Sequence, residues 1–422
     1  MNKKSFYIVL ILILFSFPTS VVFGATNNET DSVTRLTAQL HAVQNYLKKI
    51  TATLNYGHAT AVDNEVMRNS IREGAKWLQE AQETNGHFAY EYLPYEDSYR
   101  NDDNIVRQAG ALYILSEIAR RDSKEGKKKN ETIEHSISFF ESLSKEHTYE
   151  NTDVRCIVKS KESNLCKLGA TALALTGILG YIEANPEKAD QYEDLIKGYV
   201  AFILQSKKST SGFRDEYRVG IGFKADKESS FSNGEALLAL VRYYQYKPDS
   251  EVKKVIDETF VYLKGTEFDT ALYLWIMAAL KDMQTLWPSP AYIAYGKEFT
   301  AWRVNGLISS RNTIRNYCAS TEGLVSAYGL LEGSVPAEEQ KKLRQEIDFW
   351  NTKNLALQIE HDDLYRLVAE EGKFVFKEVK NMEQAQGGFL TADDELTQRI
   401  DFTQHCISTH LQTLVDVDKQ SL

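Results

Sequence analysis

Among the carboxylates and histidines of this sequence, Asp103, Glu235, Asp401 and His405 stand where acid–base chemistry could use them. Two carboxyl groups with separated pKa values serve the hydrolysis of a glycosidic bond, one as acid and one as base or nucleophile. An imidazole is a base near neutrality. Each stands at or near the head of an apolar segment: DNIVRQAGALYILSEI from Asp103, SNGEALLALVRYY from Ser232, and DFTQHCISTHLQTL from Asp401. Arg107 and Gln108 lie one turn into the first of these, and Arg399 immediately precedes the last. A buried Arg needs an anionic partner, which is either an inner carboxylate or a substrate. Asn233 and Glu322 hold similar positions. Together with Tyr90 and Tyr92, from the aromatic and acidic loop that opens at Gly86, these residues form the expected substrate-binding set. Aromatic faces beside charged ends suit sugar rings, whose C–H faces stack while their hydroxyls bond.

Local capping competes with each of these readings. Ser232-x-x-Glu235 has the form of a capping box, and Asp401-x-x-Gln404 resembles one. Asp103 and Asp269 have the character of helix N-caps.

The four cysteines raise a second chemistry. Cys156 and Cys166 bracket a polar loop, and a disulfide is expected between them. Cys318 heads one apolar segment, and His405 and Cys406 lie early in another. Two thiolates and an imidazole, with a water, would make an open zinc site. A Cys318–Cys406 disulfide or two free thiols are the other outcomes. No further cofactor is expected, because the sequence has no Walker loop, HExxH, Gly-x-Ser-x-Gly or dinucleotide fingerprint.

Six apolar segments would position these groups. They span residues 103–118, 166–181, 232–244, 269–280, 318–331 and 401–414, and each is apolar nearly all round. Amphipathic segments alternate with them over 65–82, 132–145, 189–205, 251–264, 291–303 and 337–358. Helices apolar on every side are buried, and those with one polar face lie outside them. The expected fold class is therefore all-α: an (α/α)6 toroid of six helical hairpins with an extra N-terminal helix. The N-terminal ends of the inner helices would converge on one polar mouth. The organisation reads as a signal peptide over 1–24, a linker over 25–33, an N-terminal helical segment over 34–62 and the toroid over 63–418.

One motif ties this pattern to known proteins. Trp77-Leu78, Gln82, Gly86 and Phe88 are spaced as aromatic-Leu-x3-Gln-x3-Gly-x-aromatic, with looser echoes at Gln205 with Gly212-Phe213 and at Gln386 with Gly388-Phe389. The spacing resembles the repeat motif of the terpenoid cyclase and protein prenyltransferase toroids. Six-hairpin glycosidases, polysaccharide lyases and sugar epimerases share that architecture. The resemblance implies the fold and leaves the chemistry open. The Asp-x-Asp-Asp acid motif of one terpene cyclase class is missing. The Cys and Cys-His zinc ligands of lanthionine cyclases are similar to Cys318 and His405-Cys406, but here the pair is reversed and the Gly-rich surroundings are absent.

Lys3 and Lys4, the apolar run from Tyr7 to Phe15, and small residues before Ala25 make an export signal. Its removal takes the net charge from −10 to about −12. Such an acidic chain is a poor partner for nucleic acid, and no later run is apolar enough to span a membrane. The expectation is an exported bacterial protein, periplasmic or secreted, acting on a glycan or another small polar substrate. A zinc enzyme and a non-catalytic binding or scaffold protein are the alternatives, and oligomeric state is left open.

Overall fold

A helix that is apolar on every side has to be buried on every side, and six helices of this chain meet that condition. The computed structural model describes residues 29–422, apart from 55, 57–58, 123–126, 128 and 224–226. In chain order the principal helices are α1 (Glu29–Leu54), α2 (Asn64–Glu80), α3 (Ile105–Arg121), α4 (Asn130–Ser142), α5 (Leu168–Ala184), α6 (Ala189–Ser206) and α7 (Ser230–Tyr246). There follow α8 (Ser250–Lys264), α9 (Thr270–Leu286), α10 (Pro290–Leu307), α11 (Cys318–Leu331), α12 (Ala337–Leu355) and α13 (Ile400–Gln412). The odd-numbered helices from α3 to α13 form an inner ring. Each packs on the next, and α13 packs on α3 to close it. Every residue of α5 from Leu168 to Ile182 is buried, and each large apolar side chain so placed stabilises the fold by roughly 1.5–3 kcal/mol.

The even-numbered helices form the outer ring. Helix α2 buries Met67, Ile71, Ala75 and Leu78, one stripe at helical spacing, and packs on α13. Side-chain caps fix several of the helix starts: Asp63 for α2, Asn104 for α3, Ser229 for α7 and Asp269 for α9. Helix α1 lies outside both rings, against α12 and a hairpin after it. It begins at Glu29, inside the stretch read as a linker. The expected signal peptide and its cleavage site lie outside the described residues.

Short strands supplement the expected all-helical pattern. They are β1 (Glu91–Leu93), β2 (Ser98–Tyr99), β3 (Ser144–Tyr149), β4 (Thr152–Ile157), β5 (Leu165–Lys167), β6 (Glu216–Arg218), β7 (Gly222–Phe223), β8 (Tyr365–Glu370), β9 (Lys373–Glu378) and β10 (Gln398–Arg399). Two of the small sheets bind loops at the helix starts to one another. Antiparallel pairing of β1 with β10 puts Glu91 opposite Arg399, and β5 with β6 puts Lys167 opposite Glu216. The expected Cys156–Cys166 disulfide is formed, with a Cα–Cα distance of 5.8 Å, and ties β4 to β5.

The repeat motif has a physical explanation in side-chain bonds to loop backbone. Gln82 donates to the carbonyls of Gly86 and Thr132. Gly86 has φ 88°, and a Cβ there would collide with the His135 carbonyl. The next inner helix then holds the loop. Phe88 N–H donates to Gln108, Phe213 N–H to Asn233 and Phe389 N–H to Thr403. In the two looser echoes the Gln acts differently: Gln205 donates to Thr152 and Gln386 to Glu73. No described helix is long and apolar enough to cross a membrane.

Candidate active site

All six inner helices start at the same end of the ring. Near that end Arg107 of α3 meets Asp401 of α13, and Glu322 of α11 meets His405 of α13. At the other end Arg121 meets Asp416, and Arg242 meets Asp282. Between the two ends an aromatic pair crosses the ring. Tyr113 of α3 and Trp275 of α9 come from opposite helices, with ring centroids 5.9 Å apart and planes at 69°. His405 packs beside Trp275, at 6.0 Å between centroids.

Asp401 is the most tightly held of the sequence candidates. Arg107 Nε lies 3.0 Å from its Oδ2, while Arg399 contacts both its oxygens, at 3.0 and 2.7 Å. The Tyr90 hydroxyl bonds to Arg107, and Arg399 lies over the Tyr90 ring at 5.5 Å. Arg107, expected to be buried, is only partly so, and its partner is an inner carboxylate. The Arg107 side chain is 39% exposed. The capping reading of Asp401 does not hold: α13 has no side-chain cap, and Asp401 serves the two arginines. Tyr92 is fully buried, with its hydroxyl on Asp97, away from this cluster.

Asp103 belongs to a second group. Its Oδ1 accepts from Gln108 at 2.8 Å and from the Asn104 N–H at 2.7 Å, and lies 3.3 Å from His87 Nε2. Partial burial opposes its ionisation, but the bonds from His87 and Gln108 outweigh burial and hold the carboxyl below its usual range. Asn104, not Asp103, caps α3. Gln108 is fully buried, bonded to both the N–H and the carbonyl of Phe88. Asn233 accepts from the Phe213 N–H and donates to Glu228. Both amides thus carry a structural load.

Glu235 stands apart. It is buried where α7 faces α5: a Cβ added at Gly169 would collide with its Oε2 and would also touch Val106 of α3. No protein group hydrogen-bonds to that oxygen. Burial, with a smaller push from Asp215, raises its pKa to about 8. Such a carboxyl is protonated at neutral pH and has a proton to give. The capping-box reading fails here as well, because Ser229 caps α7 and Ser232 donates instead to Asp215. Asp215 and Glu216 are in turn paired with Lys167 of the neighbouring loop.

Glu322 is 1% exposed and sits with its Oε2 2.9 Å from His405 Nδ1. Its Oε1 accepts from Ser408 and Gln412. A buried carboxylate on Nδ1 fixes the tautomer and orientation of an imidazole, leaving Nε2 as the basic atom. The zinc alternative is overturned at this point. Cys318 and Cys406 are bonded to each other, with a Cα–Cα distance of 4.7 Å. Sulfurs joined in a disulfide are not thiolate ligands, so Cys318, His405 and Cys406 do not form a zinc site. No metal-binding group of three or more His, Cys, Asp or Glu occurs among the described residues.

The mouth therefore gathers three clusters: Tyr90, Arg107, Arg399 and Asp401; His87, Asp103 and Gln108; and Glu322 with His405. Glu235 lies apart from them, with Asp215 as the charge that acts on it. Among the residues not singled out in the sequence, Trp275 and Tyr113 are the most prominent. Both sit inside uniformly apolar segments that give no local signal.

No family profile and no curated protein sequence matches the chain. Solved structures do match. A GH76 α-mannanase of Bacteroides thetaiotaomicron superposes with a TM-score of 0.56 at 10% identity, covering 84% of this chain and 96% of its own. A sugar epimerase from a ruminal bacterium gives 0.57 at 12%, covering 83% and 98%. An α-1,6-mannanase of Salegentibacter sp. HEL1_6, in complex with α-1,6-mannotetrose and inactivated by replacement of two consecutive aspartates, gives 0.55 at 11%, covering 83% and 98%. The fold is the (α/α)6 toroid. At these identities the likeness establishes the architecture alone, which mannanases, epimerases and isomerases all use.

Proposed function

We propose that this chain is an exported carbohydrate-active enzyme that moves protons on a sugar held at the mouth of the ring. The observation that carries the reading is that two complementary groups stand in the first turns of inner helices, Glu235 on α7 and His405 on α13. Glu235 is a carboxylic acid with its proton retained and an oxygen unpaired. His405 is an imidazole oriented by buried Glu322. In this reading His405 Nε2 takes the proton from the carbon next to a sugar carbonyl, and Glu235 gives its proton to the carbonyl oxygen. His405 then returns its proton to the other face of that carbon while the enediol O–H gives its proton back to Glu235, which yields the epimer; return to the former carbonyl carbon, with the neighbouring O–H losing its proton to Glu235, yields the isomer. Tyr90 supplies a wall, and the exposed part of Arg107 meets substrate oxygens. Asp401 acts by holding Arg107 and Arg399. Two disulfides are consistent with an oxidising, extracytoplasmic location.

The structural neighbours support a sugar substrate, since they include mannanases, a sugar epimerase and a mannose isomerase. Hydrolysis is the second reading. It is favoured by the consecutive pair Asp102-Asp103 at the head of α3, given that a neighbour is inactivated by loss of two consecutive aspartates. Against it, Asp103 and Asp401 are each engaged by cationic or amide donors, whereas hydrolysis needs a second carboxylate free to act.

Incubation with mannose, cellobiose and α-1,6-mannotetrose in D2O, followed by NMR, tests both. Deuterium entering a sugar C–H position, lost in His405→Ala, supports proton transfer. New reducing ends without deuterium at carbon overturn it in favour of hydrolysis. Neither change on any sugar, with saturable sugar binding retained, makes the chain a binding protein.

A further inference from the structure

Arg303 is a buried cation that no carboxylate meets. It stands near the end of α10 and reaches the start of α11, where its Nη2 donates to the Ser320 hydroxyl. The residue is only 8% exposed, and its Nε is buried with no acceptor. No Asp or Glu pairs with it among the described residues. Burial pulls its pKa down, and the groups that act against burial are the Tyr273 and Tyr317 hydroxyls, not a carboxylate. Other buried cations of this chain are met. Arg366, buried to the same degree, pairs with Asp393, and Lys353 donates to three backbone carbonyls. A buried charge without a counter-charge is costly, and an anion arriving from outside would relieve it.

The groups beside Arg303 are donors. Helix α11 has no side-chain cap. Cys318 N–H donates to Asn316, but the N–H groups of Ala319 and Ser320 have no acceptor among the described residues. The Ser320 hydroxyl accepts from Arg303, so its own hydrogen is left to give. The approach is open. Gly306 is exposed, and a Cβ built there would meet only Arg303 Nη1, at 3.6 Å, its own helix and chain neighbours aside. Glu322 does not supply the missing charge. It follows Ser320 by two residues and so leaves α11 on another side, where His405, Ser408 and Gln412 engage it.

We infer that the start of α11 binds a small oxyanion, the carboxylate or phosphate group of a ligand, through Arg303, the Ser320 hydroxyl and the free N–H groups of the first turn. The site does not depend on the reaction proposed for the mouth. Arg107, which serves Asp401, is no part of it.

Calorimetric titration of the full mature chain with inorganic phosphate, D-glucuronate and D-glucose tests the assignment. At least one of the two anions is expected to bind saturably in the millimolar range or tighter, with glucose at least about tenfold weaker. The tighter anion identifies the group as phosphate or carboxylate. Arg303→Met should weaken that anion by about tenfold or more. Ser320→Asp sets a carboxylate against the guanidinium, so it should weaken the anion at least as much and raise the melting temperature. This variant decides the matter if Arg303→Met does not fold. Arg107→Met should leave the affinity as it is. Absence of saturable anion binding, glucose binding as tightly, affinity unchanged in Arg303→Met or in Ser320→Asp, or binding lost in Arg107→Met but kept in Arg303→Met would each overturn the assignment.

Discussion

Glu322 Oε2 lies 2.9 Å from His405 Nδ1, although the two residues are 83 positions apart and belong to neighbouring inner helices. The contact exists because the ring sets α11 beside α13 with both helices starting at the same end. It converts a histidine on a buried helix into one with a defined basic face. Replacing Glu322 by Gln should lower kcat by about a hundredfold and shift the pH–rate profile, with KM changed only a few-fold. Steady-state kinetics across pH checks this. A rise in KM with kcat unchanged would instead make Glu322 a binding residue.

Glu235 makes stability depend on pH in a direction opposite to most carboxylates. Its pKa rises from 4.5 in a free side chain to about 8 in the fold. Its contribution to stability is therefore complete below pH 4.5 and is lost as pH climbs towards 8, because the folded state must keep a proton that the unfolded state releases. Glu235→Gln carries no such proton. The variant should match the wild type near pH 4 and exceed it at pH 8 by on the order of a few kcal/mol. Thermal melting of both proteins from pH 4 to pH 9 measures the difference, and parallel curves would mean that the carboxyl is ionised in the fold. Sugar turnover should fall by about a hundredfold or more in the same variant.

Gly169 is what gives Glu235 its place, since a methyl group there would strike the carboxyl oxygen. Gly169→Ala should cost about 1–3 kcal/mol through overpacking. Adding Glu235→Ala to it should restore part of that loss, a coupling a double-mutant cycle reads directly. Independent, additive effects would show that the two residues do not touch.

The two disulfides close loops of different length, with sequence separations of 10 and 88. On the chain-entropy account the longer contributes more, about 4–5 kcal/mol against about 3. Paired Ser substitutions should therefore lower unfolding stability in guanidinium more for Cys318 and Cys406 than for Cys156 and Cys166. Protein purified without reductant should show no thiol reactive to a colorimetric reagent under native conditions. Two reactive thiols at Cys318 and Cys406 would reopen the metal question.

The helices were legible because burial leaves a periodic trace: the inner segments are apolar all round and the outer ones on one side. Loop chemistry left no such trace. Ser232-x-x-Glu235 copies a capping box in spacing, yet the cap is Ser229, and Glu235 is left free to face α5. Arg107 announced that it needed an anion, but its partner Asp401 is 294 positions away and only the closure of the ring reveals it. Gln108 and Asn233 are polar on buried helices, a pattern that points to substrate, whereas their amides accept from the loop N–H groups of Phe88 and Phe213. The strands of two to six residues are too short to display alternation. Trp275 was invisible, one large apolar residue in a run of them.

That tryptophan has a bearing on traffic. With Tyr113 and Trp275 meeting across its middle, the toroid is a cup and not a pipe. Whatever enters at the helix starts must leave by the same opening, so a long polymer cannot be drawn through hand over hand. On the proposed function, a product would therefore have to back out the way its substrate came, past Tyr90 and Arg107.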